Sequence, residues 1–340
     1  MQYRLTVFIG FFVAFGGLLS QRVVYQHRET PALQVGLLLD KGGKNDHSFN
    51  MEAYLGALKA QDELGIKLHV VELRSTADIE PSLRTFADLK MDVTIAVGSG
   101  FAEFVDRVAK DYPNASFASI DAEVKRTNVL SVLFQEHEAG YLMGVLAGLQ
   151  TSTGHVGFIG GMDIPIIRRF ALGYEAGVQS LLGKVYVPQD YVGTTSAAWH
   201  DPAMAKELAL RQFKSGVDII FTASGSSSLG VIDAARGARY AIGCDANQNS
   251  LSPGHVLSSA LKRVDTAVFW VIQQRQKQPF THAEVRRLGV REGVIDFALD
   301  GINRPLFKPN TLPHLLRVKK ALSEGTMKVP DFYDKAAAAP

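Results

Sequence analysis

From residue 33 onward the chain alternates short, continuously apolar runs with helix-like stretches, and it goes through this pattern twice. Apolar runs at Leu33–Leu39, Lys67–Leu73, Asp92–Val97, Ser116–Ile120 and Asn128–Phe134 are interleaved with helix-like segments at Phe49–Leu64, Ile79–Leu89 and Phe101–Lys110. After a long helical segment, Glu138–Leu149, strands are expected at Val156–Ile159, Val185–Tyr191, Asp218–Ala223 and Arg239–Gly243. The helices between them are expected at Ile166–Leu182, Pro202–Phe213 and Ser228–Ala235. Short apolar runs suit strands buried on both faces, and their alternation with helices implies parallel sheets covered on both sides. The fold class that follows is α/β, with two doubly wound parallel-sheet lobes in series and a cleft between them. At 340 residues the chain also exceeds what one core usually holds. Val256–Leu261 and the helix Thr266–Gln274 are expected to carry the chain back to the first lobe. The boundaries expected are 1–30 for a leader, 31–134 plus about 262–280 for lobe 1, 135–261 plus about 281–330 for lobe 2, and 331–340 for a flexible tail.

Arg4 precedes an apolar run, Leu5–Leu19, followed by polar residues. That order reads as a secretory signal peptide or an uncleaved signal anchor, with residues 5–19 then serving as a membrane tether. The mature protein is expected outside the cytoplasm. A net charge of +2 without a basic run argues against nucleic acid as a partner. Cys244 is the only cysteine, so no intrachain disulfide and no cysteine-based metal site can form.

In open parallel sheets ligands bind beyond the carboxyl ends of the strands. Asp40 stands at the end of the first strand, followed by Gly42-Gly43 and then by Ser48-Phe49-Asn50 at a helix start. Asp40 offers a fixed acceptor, or merely a turn cap; Phe49 offers a stacking face, or merely core. Asp121 and Asp245 end two further strands, and each alone is as readily a cap as a ligand group. Together the three carboxylates suit a ligand rich in O–H or N–H donors, because an ionised carboxylate only accepts hydrogen bonds. Lys262 would be the complementary donor, or an ordinary solvated lysine. Gly225-Ser-Ser-Ser-Leu229-Gly230 follows another strand, and its small residues would let a ligand approach backbone N–H groups. It matches neither a P-loop nor GxGxxG. Gly160-Gly161 with Arg168-Arg169 reads either as an anion site or as surface and inter-lobe pairs. No GxSxG elbow, HExxH or metal-spaced histidine cluster occurs, so neither catalysis nor a cofactor is expected.

Five segments in order resemble one family: Leu38–Gly43 with Asp46–Asn50, Leu130–Gly144, Ile159–Met162 with Phe170–Gly177, Ile242–Asp245, and Ser259–Lys262. The chain resembles the basic membrane protein family, the purine nucleoside receptor group of transporter substrate-binding proteins, from about residue 33 to at least residue 302. The resemblance implies a type I periplasmic-binding-protein fold and delivery of a nucleoside to an ABC permease in the inner membrane. It implies that Phe49 stacks on the base, Asp40 meets the base edge, Asp121 contacts base or ribose, and Asp245 and Lys262 hold ribose hydroxyls. Two departures stand out. Leu18–Gln21 contains no cysteine, so lipid attachment by the route many members use is not expected. Leu229 occupies the loop where a second aromatic is expected, which leaves sandwiching of the base, and purine selectivity, unsupported. The reading is an extracytoplasmic nucleoside-binding protein for uptake; the alternative is a sensory co-receptor for a nucleoside or sugar.

Overall fold

The computed structural model describes residues 32–337. The first lobe opens with β1 (Gln34–Leu39), α1 (Phe49–Leu64), β2 (Lys67–Glu72), α2 (Ile79–Asp88), β3 (Val93–Val97), α3 (Ala102–Asp111), β4 (Phe117–Ile120) and β5 (Val129–Phe134). The second runs through α4 (Glu136–Gln150), β6 (Val156–Met162), α5 (Pro165–Leu182), β7 (Gln189–Gly193), α6 (Pro202–Lys214), β8 (Ile219–Ala223), α7 (Ser228–Ala234), β9 (Tyr240–Asp245) and β10 (Val256–Lys262). The chain closes with α8 (Val264–Lys277), β11 (Glu284–Leu288), β12 (Ile295–Phe297), α9 (Thr311–Ser323) and α10 (Phe332–Ala337).

Two six-stranded sheets result, ordered β2-β1-β3-β4-β5-β11 and β7-β6-β8-β9-β10-β12. All pairings are parallel except that of β10 with β12. The central strands are buried throughout, as Val93–Val97 and Ile219–Ala223 illustrate, because helices cover both faces. In each sheet the strand order reverses beside the first strand, between β1 and β3 and between β6 and β8. That reversal opens a crevice at the carboxyl ends. The chain passes between the lobes three times, after Phe134, after Lys262 and after Leu288.

Glycines set how closely α4 and α5 pack. A Cβ on Gly140 or Gly144 would collide with the Phe170 or Tyr174 carbonyl, and one on Gly173 or Gly177 with the His137 or Tyr141 carbonyl. Two motifs that carried the family resemblance, Leu130–Gly144 and Phe170–Gly177, therefore owe their glycines to backbone-to-backbone packing.

Three boundaries differ from expectation. Residues 281–330 do not all belong to lobe 2, because Glu284–Leu288 pairs in parallel with Leu130–Phe134 in the first sheet. This strand, Glu-Val-Arg-Arg-Leu, lies at a sheet edge, where charged residues are normal and apolar patterning fades. Strand β7 begins at Gln189 instead of Val185, again at an edge and only half-buried. The tail expected over 331–340 is anchored at its start, since Asp331 accepts from Arg169 Nε at 2.8 Å and Nη2 at 2.9 Å, and α10 follows it. The expected leader, 1–30, lies outside the described residues. Among the described residues no helix is long and apolar enough to cross a membrane.

Candidate ligand cleft

A cavity of about 220 Å³ lies between the lobes, lined by residues that follow strands of both sheets. From the first lobe come Asp40, Phe49, Asn50, the Gly98–Phe101 turn and Asp121; from the second come Phe170, Trp199, His200, Gly225, Asp245 and Lys262. Most of the expected site residues therefore meet in one place. Ser48 stands just behind it. Leu229 does not line it: the residue sits on α7, beyond the Gly225–Ser226 turn that does.

The opening loop is shaped by Asp46. Asp46 accepts from the Ser48, Asn50 and Met51 N–H groups at 2.9, 2.9 and 3.0 Å, satisfying the free donors at the start of α1. Ser48 is thereby released to donate across the cleft to Asp245 Oδ2 at 2.5 Å. A second cross-cleft bond runs from Gln248 Nε2 to the His47 carbonyl at 2.9 Å, so the lobes touch at this side of the cavity. Asp40 caps its turn and also faces the cavity. Its Oδ1 accepts from Gly42 N–H at 2.9 Å and Asn50 Nδ2 at 2.7 Å, and the residue lines the cavity. Burial pushes its carboxyl above the usual range.

Asp121 and Asp245 hold equivalent places, directly after β4 and as the last residue of β9, and both have left-handed backbones, with φ of 69° and 65°. A glycine would adopt that conformation without strain, whereas a residue with a Cβ does so at a cost of about 1–2 kcal/mol. Aspartate side chains at two such positions point to a use for the carboxylates.

Lys262 is not a solvated lysine, being 2% exposed. Its Nζ donates to Asp121 Oδ2 at 2.6 Å, lies 3.1 Å from Glu136 Oε1, and sits 5.0 Å and 4.7 Å from the Phe49 and Phe134 ring centres. Glu136 is held from behind by Arg169, which reaches on to Asp331. One ammonium thus faces three carboxylates, Asp121, Glu136 and Asp245, and cannot neutralise them all. Burial, opposed by Lys262 and reinforced by Glu136, pushes Asp121 up to about 7. Burial alone would lower Lys262, but the attraction of Asp121, Glu136 and Asp245 outweighs it and keeps the amine protonated. Asp121 Oδ1 and His200 Nε2 are buried without a hydrogen-bond partner among the described residues.

The Gly225–Ser228 turn lines the cavity with Gly225 and Ser226, and its serine side chains brace the neighbouring loop. Ser226 Oγ donates to the Trp199 carbonyl at 2.9 Å, Ser227 Oγ donates to the Ala198 carbonyl at 2.8 Å, and Asp201 N–H donates to Ser227 Oγ at 2.7 Å. The serines brace the 196–201 loop, and Asp201 caps α6 through Met204 N–H at 2.9 Å, as the Asp-Pro pair predicts. The aromatic residues that the second lobe brings to the cavity are Trp199 and Phe170; the single one expected near the Gly225–Gly230 loop is not at residue 229. Arg168 pairs with Asp163 at the surface and Arg169 is committed to Glu136 and Asp331, so neither forms an anion site.

Residues that sequence reasoning missed had faint signals. Trp199 is one of two tryptophans and sits between a strand and the Asp201-Pro202 helix start, where ligand-binding loops occur. Glu136 obeys the rule that found the others, an acid just past a strand, but at a helix start it passes for an ordinary first-turn carboxylate. Among the described residues no group of histidine, cysteine and acid side chains is arranged to hold a metal ion.

A family model described as ABC transporter substrate-binding protein, PnrA-like, matches residues 33–333. A lipoprotein of Pyrococcus furiosus is 32% identical over 286 residues, covering 80% of this chain and 72% of its own. An ABC transporter nucleoside-binding protein of Lactococcus lactis is 27% identical over 291 residues, covering 79% of this chain and 82% of its own. An ABC transporter solute-binding protein of Aeropyrum pernix K1 superposes with a TM-score of 0.80 at 27% identity, covering 90% of this chain and 96% of that one. The two-lobed α/β fold is that of solute-binding proteins, which bind their ligands without converting them.

Proposed function

The chain belongs to the family of PnrA-like ABC transporter substrate-binding proteins, and from that premise we propose that it captures a nucleoside outside the cytoplasm and hands it to an ABC permease. The observation that carries this reading is the composition of the cleft: Phe49 and Trp199 enter one cavity from opposite lobes beside the paired carboxylates of Asp121 and Asp245. Aromatic faces suit a base, at about 1–3 kcal/mol for each stacking contact, and carboxylates suit the vicinal hydroxyls of a ribose. The charge balance favours a nucleoside over a nucleotide. Asp40, Asp46, Asp121 and Asp245 line the cavity against Lys41 and Lys262, and the Lys262 ammonium is already spoken for by carboxylates. A phosphate would enter a field of its own sign. The likeness to the Lactococcus nucleoside-binding protein points the same way. Trp199 restores the second aromatic wall and with it the case for a purine, whose larger ring system gains more from two faces.

Calorimetric titration against nucleosides, free bases, ribose and nucleoside monophosphates tests the proposal. Binding of nucleosides with at least about tenfold weaker binding of each fragment and of the monophosphates is expected. Folded protein that binds ribose or another sugar but no nucleoside overturns it.

A further inference from the structure

His200 lines the same cavity, and the hydrogen bonds around its ring assign its tautomer. Its Nδ1 lies 3.3 Å from Ser226 Oγ, and the Ser226 hydroxyl donates to the Trp199 carbonyl at 2.9 Å. A hydroxyl has one proton to give. With that proton committed to Trp199, Ser226 Oγ can only accept from Nδ1–H. The neutral ring then presents Nε2 as a bare acceptor, and Nε2 is buried without a hydrogen-bond partner among the described residues.

Asp40 reaches the same spot from the first lobe. A Cβ placed on Gly42 would lie 2.9 Å from His200 Cε1 and 3.1 Å from Asp40 Oδ1. Two acceptors, one per lobe, therefore flank one end of the cavity, with Asp121 Oδ1, which has no partner among the described residues, at another part of it. We propose that His200 is a specificity-determining residue which, with Asp40, selects nucleosides whose base carries an exocyclic amine. This rests on the nucleoside reading of the cleft. An amine offers two N–H donors on one atom, one for Nε2 and one for Asp40. A carbonyl in its place sets a third acceptor against these two, and an unsubstituted ring edge leaves the buried Nε2 unpaired, whereas Asp40 keeps Gly42 and Asn50. The Ser226 brace acts through the tautomer it imposes, which makes Ser226 a positioning residue.

The test is calorimetric titration of the full chain and of its His200→Leu variant with adenosine, inosine and purine riboside. In the unaltered protein adenosine is expected to bind at least about tenfold tighter than either of the others, the cost of leaving a buried acceptor unpaired. In His200→Leu the preference for adenosine over inosine is expected to shrink to within about threefold. Inosine binding as tightly as adenosine, or a preference that survives in the variant, overturns the proposal. Failure of all three nucleosides to bind refutes the nucleoside reading instead. Nitrogen-15 NMR of the His200 ring is independent of whether the variant folds: a neutral ring with its proton on Nδ1 is expected, and a proton on Nε2 overturns the assignment.

Discussion

Replacing Lys262 by methionine keeps the aliphatic stem and deletes the ammonium that faces Asp121, Glu136 and Asp245. Glu136 retains Arg169, so the group left uncompensated is Asp121, whose Oδ2 has Lys262 Nζ at 2.6 Å and whose Oδ1 has no partner among the described residues. Breaking a buried pair by removing one partner costs about 3–5 kcal/mol. The contacts of Nζ with the Phe49 and Phe134 rings disappear as well, at about 0.5–2 kcal/mol. The deficit depends on pH in a definite direction. Even with Lys262 present, burial holds Asp121 at about 7, above its ordinary value of 3.8. Without Lys262 the folded-state value rises further while the unfolded one does not. The native variant therefore takes up a proton more readily than the unfolded chain, and it regains stability as pH falls from about 8 to about 6. The gain is at most about 1.4 kcal/mol per pH unit. Urea unfolding of Lys262→Met and of the unaltered protein at the two pH values reads this out. A variant as stable as its parent at pH 8, or a deficit of the same size at pH 6, would refute the reasoning.

Phe49→Ala and Trp199→Ala should each lower nucleoside affinity by about tenfold or more with unchanged far-ultraviolet circular dichroism, from the loss of one stacking face. Unaltered affinity in both variants removes the aromatic walls from the account. Burial first, and then Asp265, raise the Glu52 carboxyl to about 8, well above its ordinary 4.5. The native state therefore binds an extra proton between those values, and stability declines as pH rises through them. Glu52→Gln should flatten that decline in thermal melts run from about pH 5 to pH 9; an unchanged slope contradicts the assignment. Asp201→Ala should cost about 1 kcal/mol through loss of the α6 cap and should loosen the loop bearing Trp199, seen as a shift in tryptophan emission. Emission identical to that of the parent would show that the Ser226 and Ser227 brace alone holds the loop.

The parts of the fold that were legible in the sequence are those buried on both faces. Central strands such as Val93–Val97 announce themselves as unbroken apolar runs, and α1 keeps the limits Phe49–Leu64 expected of it. Of the edge strands, β2 was found at Lys67, but the others are harder to read. β11 reads Glu-Val-Arg-Arg-Leu, and β12 is three residues long, so the third passage between lobes was misplaced. The site follows the same logic. Asp121, Asp245 and Lys262 were legible because a charged residue ends an apolar strand. Trp199 lies in a short turn after an edge strand, where no periodicity marks it. Leu229 drew attention only because it shares a glycine-serine segment with cavity residues, and α7 carries it away from them. Within that segment Gly225 and Ser226 do line the cavity, and its serines also hold the Trp199–His200 loop through side-chain bonds that no local pattern reveals.

The central claim is that a nucleoside lies across this cleft, base against the two aromatic walls and ribose on the strand-end acids. A crystal structure of the protein grown with adenosine tests it most directly. The account predicts the base in contact with Phe49 and Trp199, with ribose hydroxyls within hydrogen-bond distance of Asp121 and Asp245. Adenosine bound away from the cavity, or bound in it with its base remote from both rings, would contradict it.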